Sequence, residues 1–178
     1  HARDGMDEPD LCGGVRQSGR QTGIRKSVMI RDIPKSALIL GLAGVLPFIW
    51  GVATIHHAAT ADWTVANIGP RFIGPYIGLA YGTVILSFMS GVLWGFATKV
   101  EGHRASVGYA LSVLPALWAF FMVGGGPVSA GMNLIAGFIA LLVLDFAYQQ
   151  WGLAPRWWMT LKVFLTGVVT MCLLPVVL

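Results

Sequence analysis

The sequence predicts an all-α membrane protein with five transmembrane helices. The 178-residue chain is 56% hydrophobic and only 11% charged, whereas soluble domains carry about 25% charged residues. Five apolar stretches follow a polar N-terminal segment, and each has roughly the 20 residues that a helix needs to cross a bilayer. Helices are expected because every backbone polar group must be paired within its own segment in lipid.

The N-terminal residues 1–33 differ from the rest of the chain. They are rich in Gly, Arg and Asp and lack apolar periodicity, which predicts a disordered leader. The chain begins with His1, and Met29 opens "MIRDIPKSALILG", which resembles a natural start. We therefore expect residues 1–28 to be non-native upstream sequence and residues 34–178 to form the transmembrane domain.

The five apolar stretches define the expected spans. Their predicted ranges are 36–56, 73–97, 105–124, 128–148 and 158–178. The first could instead be a signal peptide, because Ala59-Thr60-Ala61 resembles a signal-peptidase site. Its apolar run is long for a signal peptide, so we expect the first helix to be retained.

The positions of Lys and Arg predict the orientation. If the N-terminus is inside, the outer side holds a single Lys or Arg residue among the spans and their loops, which is Arg71. The cations on the inner side or its edge are Arg31, Lys35, Lys99, Arg104, Arg156 and Lys162. Cytoplasmic loops are enriched in Lys and Arg, so the topology is predicted as N-in and C-out. The net charge of +4 comes largely from basic residues at the ends of apolar runs, a pattern that fits orientation in a membrane. Membrane lipid is the partner that the apolar composition indicates, and no basic patch with interleaved aromatic residues indicates nucleic acid.

Two similar segments, "GVLPFIWG" (44–51) and "SVLPALWA" (112–119), lie in the middle of the first and third spans. Proline removes a helical hydrogen bond and presses its ring against the carbonyl four residues earlier. Kinks are thus predicted at Pro47 and Pro115. Broken helices around a midplane site, as in transporters, are one interpretation; two packing kinks are favoured, because the match is only six residues.

Small residues recur every four positions in the second span. The two sets are Gly74, Gly78 and Gly82, followed by Ser87, Gly91 and Gly95. Close backbone approach holds helices together in lipid, because burial of apolar surface does not drive their association there. The pattern therefore predicts a central helix that packs against two neighbours; a homodimer face or a ligand groove is the alternative.

Two charged residues lie within apolar stretches near the predicted cytoplasmic face. Lys162 can reach the interface, but the shorter Asp145 cannot. Asp145 therefore needs a cation, and the nearest in sequence are Lys162 and Arg156, across the hairpin. Lys99 and Arg104 of the other inner loop are alternatives. We predict a structural ion pair rather than a proton relay, because a relay needs further acids deeper in the bundle, and the sequence has none near the centre of any span.

No catalytic, cofactor or phosphate-binding motif is recognisable in the sequence. The adjacent His56 and His57 would point about 100° apart on a helix, which is unsuited to one metal ion. We therefore expect no enzyme activity, no cofactor and no metal site. An enzyme acting on lipid or quinone is the least favoured interpretation.

Four segments of the chain carry a family resemblance: "ILGLAGVLPFIWG", "YGTVILSFMSGVLWGFA", "YALSVLPALWAF" and "LDFAYQQWGLAPRWWMTLKVFLTGVV". They resemble successive blocks of the family called domain of unknown function 3429. The resemblance covers roughly residues 34–178 and implies a small protein of the bacterial inner membrane, with mitochondrial relatives of the transmembrane-protein-69 type. By position, the family's polar signature falls on Ser87, Trp94, Ser112, Pro115, Asp145, Pro155, Trp157 and Lys162.

The second block departs from the family pattern, which often reads "SFLGGVHWG". This chain has Leu93 in place of the histidine, which weakens any catalytic or metal interpretation of the block. The family name implies a topology and a location without an activity. We expect a structural, accessory or assembly role beside larger membrane complexes. A small transporter or channel, acting as a homo-oligomer, is the alternative.

Overall fold

The computed structural model describes residues 33–178, and within this range the chain is helical, with no strand. The helices are α1 (Lys35–Ala43), α2 (Leu46–His56), α3 (Ala58–Asn67), α4 (Tyr76–Ala97), α5 (His103–Met122), α6 (Pro127–Gln150) and α7 (Trp158–Val177), with a 3₁₀ turn at Pro70–Phe72. Five helical segments of this range, α1 with α2 and then α4 to α7, are long and apolar enough to cross a membrane. The predicted all-α class and the five spans are confirmed. The leader lies outside the described residues, apart from its last position.

The first span consists of two helices. α1 ends at Ala43 and α2 begins at Leu46, so the break falls just before Pro47, which occupies the first turn of α2. A proline is tolerated in that turn because the N–H groups there have no helical partner. Pro115, in contrast, lies inside the continuous helix α5. A bend of the helix axis at either proline stays a prediction.

The short helix α3 lies between the first two spans and was not predicted. Its sequence, AATADWTVAN, is too polar and too short to cross a bilayer, so a search for apolar runs passes over it. Alanine is the best helix former, and it supplies four of these ten residues. The Thr64 hydroxyl donates to the Thr60 carbonyl at 2.6 Å, and Trp63 remains about half exposed.

Successive spans alternate in direction, which places the loops at two ends of the bundle. We call the end with Lys35, Lys99, Arg104 and Arg156 the cationic end. The opposite end holds α3, the start of α4 and the turn between α5 and α6. Which end faces the cytoplasm stays a prediction.

α4 is the central helix, in contact with α2, α5 and α6, while α7 packs against α6 and α2. Large apolar side chains fill the interior between these helices. Those with no more than 2% exposure are Phe48, Leu86, Leu93, Leu134, Leu141 and Leu173.

The first set of small residues packs inside the chain. Gly78 and Gly82 are buried on α4, and a Cβ on Gly82 would overlap the Leu134 side chain of α6. Gly74 lies just before α4 rather than on it, because a residue that precedes a proline is disfavoured in helical conformation and Pro75 follows. Its N–H donates to the Thr54 hydroxyl of α2 at 2.7 Å.

Candidate functional site

A buried ion pair joins α6 and α7 at the cationic end. The Lys162 ammonium lies 3.1 Å from Oδ2 of Asp145. Asp145 is 1% exposed and Lys162 is 6% exposed. Each charge would be costly to bury alone, so each depends on the other for compensation.

Trp158 completes this site from the first turn of α7. Its indole Nε1–H donates to Oδ1 of Asp145 at 2.8 Å. Trp158 and Lys162 are four residues apart, so they share one helix face, and the ammonium lies 5.8 Å from the centroid of the indole ring. The indole itself packs edge-on against Phe96 of α4, with centroids 5.3 Å apart. The aspartate therefore has one hydrogen-bonded oxygen and one oxygen held by charge.

Oδ2 of Asp145 is buried, and the Lys162 ammonium at 3.1 Å is its partner. Trp158 and Lys162 thus contact the two oxygens of the carboxylate separately, which fixes its orientation between α6 and α7.

Arg156 does not join the pair, which differs from the sequence-based expectation. It lies in the turn before α7 with its side chain exposed, and its backbone carbonyl accepts from Gln149 Nε2 at 3.3 Å. The reason is geometric: Lys162 lies on the face of α7 that meets α6, whereas Arg156 precedes the helix and is free to face water. Lys99 and Arg104 also form no ion pair with Asp145.

Two further polar contacts join the helices at the cationic end. The Lys99 ammonium donates to the Leu153 carbonyl at 3.0 Å and lies 4.9 Å from the Phe96 ring centroid. The Tyr148 hydroxyl donates to the Gly108 carbonyl of α5. The sequence analysis assigned Tyr148 no contact within the bundle. Its position three residues after Asp145, on the same helix face, was the available signal that it points inward.

We expect Tyr148→Phe to destabilise the protein by about 1–3 kcal/mol, because the phenol is fully buried and its loss removes the hydroxyl donor from the Gly108 carbonyl. Thermal unfolding of the purified protein in detergent measures this effect. Tyr76→Phe is the matched control, because Tyr76 is 56% exposed. Equal melting temperatures for the two variants would contradict the prediction.

A second interhelical bond lies beside Pro115. The Ser90 hydroxyl of α4 donates to the Ser112 carbonyl of α5, and both residues are buried. The carbonyl that Pro115 leaves without its helical partner is that of Leu111, next to the carbonyl that Ser90 contacts. The bond from Ser90, which the sequence analysis did not single out, therefore joins α4 to α5 beside the proline and does not replace the bond that the proline removes.

The second set of small residues, Ser87, Gly91 and Gly95, lies on the outer surface of α4 and is called the outer stripe below. All three residues are exposed. A Cβ built on Gly91 or Gly95 would meet no atom within 4 Å. The expectation that both sets pack inside the chain thus differs from the structure for this set, because α2, α5 and α6 already occupy the other sides of α4.

Large side chains flank the outer stripe. Phe88 is 61% exposed, and Trp94 is 49% exposed and packs on Tyr109 of α5 with centroids 4.6 Å apart. The stripe is therefore a shallow surface between aromatic walls, where a second helix can approach the α4 backbone closely.

The fold and composition define an integral membrane protein, a bundle of apolar helices with a buried ion pair near one end. Within that class, the chain belongs to the family described as Protein of unknown function (DUF3429), whose model matches residues 33–178. The resemblance noted from the sequence is thereby confirmed.

Two curated relatives share the name Transmembrane protein 69. The chain is 31% identical to the protein from Xenopus tropicalis over 143 residues, which are 78% of this chain and 52% of the relative. It is 34% identical to the protein from Mus musculus over 153 residues, or 80% and 58% of the two chains. The chain therefore spans little more than half the length of these relatives. No solved structure matches it.

Proposed function

We propose that this protein is an accessory or assembly factor that binds another transmembrane protein through the outer stripe of α4. The observation that carries the proposal is the exposure of Ser87, Gly91 and Gly95 on the central helix, with open space beside both glycines. The other sides of α4 are occupied by this chain's own helices, which leaves one face for a partner.

The physics of the bilayer supports this use of the stripe. Apolar side chains on a helix surface gain nothing by leaving lipid for a partner, so exposed leucines or phenylalanines alone do not favour association. Small residues at four-residue spacing do favour it, because two backbones can approach closely and gain dispersion contacts. A partner helix that also carries small residues fits this surface best.

The buried pair supports a structural role in the same proposal. Asp145 and Lys162 are engaged with each other and with Trp158, and together they join α7 to α6. We infer that they hold the hairpin in one arrangement, so that α4 keeps the neighbours that leave its outer stripe free.

We further propose that the protein lies in the inner membrane of a bacterium, with the cationic end in the cytoplasm. Lys35, Lys99, Arg104 and Arg156 at that end support this orientation through the positive-inside rule. The opposite end carries Arg71 within its 3₁₀ turn.

Gly91→Leu tests the proposal. A leucine within a close helix–helix contact costs about 1–3 kcal/mol, so co-purification of a membrane partner after gentle solubilisation should fall roughly tenfold. The matched control is Gly167→Leu on α7, which is also exposed with open space beside it. The bundle itself should melt at the wild-type temperature or slightly above it in both variants, because leucine is favoured over glycine in a helix.

Equal recovery of partners with Gly91→Leu, Gly167→Leu and the wild type would contradict the proposed function. If the wild-type protein is recovered without any partner, even after crosslinking in cells, the proposed function is contradicted as well.

A small transporter or channel is the second candidate, favoured by the burial of the ionisable side chains of Asp145 and Lys162 within membrane-spanning helices. The Asp145 carboxylate could accept a proton or contact a cation in transit. Purified protein in liposomes would then conduct protons, ions or small metabolites, and Asp145→Asn would abolish the flux while the protein still accumulates. Absence of flux from the wild type across a broad panel would remove this candidate.

A further inference from the structure

We propose that a cavity at the opposite end of the bundle binds the head group of an anionic phospholipid, with Arg71 as the residue that contacts the phosphate. The site is separate from the outer stripe and does not depend on the proposed function.

The cavity has a volume of about 430 Å³, within the range of about 300–1,000 Å³ that is typical of ligand pockets. It lies between the start of α4 and the glycine-rich turn that joins α5 to α6. The residues that line it include Arg71, Tyr76, Leu79, Thr83, Gly125 and Ala130.

Arg71 supplies the charge. It is the one cation in the lining, its side chain is exposed, and no carboxylate within residues 33–178 lies at ion-pair distance from it. Its guanidinium lies 4.8 Å from the Phe72 ring centroid, a contact that limits its freedom. A guanidinium presents a planar fork of N–H groups that matches two oxygens of a phosphate.

The rest of the wall is largely apolar, and this favours an amphiphile over a free anion as the ligand. Leu79, Ala80, Val123 and Ala130 line the cavity beside a single charged group. Arg71 precedes α4, whereas Leu79 and Thr83 lie one to two turns inside that helix. The charged group is therefore at the rim and the apolar wall extends toward the membrane interior, as an amphiphile with an anionic head group requires.

The glycine-rich turn keeps the cavity open. A Cβ on Gly124 or Gly126 would meet no atom within 4 Å, and Gly125 has a φ of +83°, which disfavours side chains. Three successive glycines thus form a wall without side chains on the side opposite α4.

Native mass spectrometry of the purified, delipidated full chain tests the assignment. Phosphatidylglycerol, phosphatidylcholine and inorganic phosphate are titrated separately. The wild type should bind one phosphatidylglycerol per chain in preference to phosphatidylcholine, and Arg71→Gln should weaken this binding roughly tenfold. Ala80→Phe, which keeps the charge but fills the apolar wall, should weaken it as well.

The matched control is Arg104→Gln, which removes an exposed arginine at the cationic end and should leave the affinity unchanged. Three results would overturn the assignment: equal weakening by both arginine variants, equal affinity for the two lipids, or binding of inorganic phosphate without the lipid. Because Arg71 and Ala80 are exposed, both variants should retain the wild-type melting temperature, so that a change in lipid binding reports the cavity itself.

Discussion

Replacing Lys162 with methionine should lower the free energy of unfolding by about 3–5 kcal/mol, the cost of leaving one member of a buried ion pair without its partner. Asp145 is 1% exposed, and its Oδ2 atom has the Lys162 ammonium at 3.1 Å as its counter-charge. Methionine is close to lysine in size, so the change removes the charge with little change in packing. The measurement is denaturant unfolding in detergent, together with the abundance of the protein in membranes.

A double variant separates the loss of the charge partner from a loss of packing. Asp145→Asn combined with Lys162→Met removes both charges, and the asparagine carbonyl can still accept from Trp158. The double variant should recover most of the stability that Lys162→Met loses. A double variant as unstable as Lys162→Met would show that the charge interaction is not the cause. If Lys162→Met accumulates and unfolds like the wild type, the structural role of the pair is wrong.

Gly74→Ala should destabilise the protein by about 3 kcal/mol or more, at the upper end of the range for overpacking. The added methyl carbon would overlap the Gly51 carbonyl oxygen and lie 2.6 Å from Cγ1 of Ile55. A backbone atom cannot rotate away as a side chain can, so α2 and the start of α4 would have to separate. That separation would also break the hydrogen bond from the Gly74 N–H to Thr54.

Gly91→Ala is the matched control for this prediction. It adds the same methyl group to α4, where nothing lies within 4 Å. Alanine is favoured over glycine in a helix by about 0.5–1 kcal/mol, so this variant should be slightly more stable than the wild type in detergent. The opposite signs of the two changes are the expected result. Equal effects would contradict the close contact between Gly74 and α2.

The sequence predicted the helical class and the five spans, because the length and polarity of a segment decide whether it can cross a bilayer. It did not predict α3, because the spans were predicted from long apolar runs and α3 is too short and too polar to cross the bilayer. The bounds of the spans differ from the prediction by up to three residues. The largest difference is at the start of α4, which was predicted at residue 73 and lies at Tyr76, because a residue that precedes a proline, here Gly74, is disfavoured in helical conformation.

The candidate site was predictable only in part. Burial of Asp145 near a cation follows from the cost of a charge in lipid, but the choice of cation depends on helix rotation. The structure selects Lys162 over Arg156 because α7 begins at Trp158 and directs position 162 toward α6. Trp158 as a donor to the carboxylate depends on the same rotation.

The two sets of small residues also show that spacing in the sequence does not reveal which face of a helix is buried. Spacing alone makes the first set and the outer stripe equivalent, since both repeat every four residues. Only the three-dimensional arrangement shows that Gly78 and Gly82 meet α2, α6 and α7 whereas Gly91 and Gly95 meet open space. The proposed function depends on this difference.

Site-specific photo-crosslinking in living cells tests the central claim most directly. A photoreactive amino acid replaces Phe88 or Trp94, the exposed aromatic residues that flank the outer stripe, and in control proteins it replaces Val163 or Phe164, which are about half exposed on α7. We expect a discrete protein adduct from positions 88 and 94 and none from positions 163 and 164. Adducts of equal yield from both helices, or no protein adduct from α4, would contradict the claim that the outer stripe binds another membrane protein.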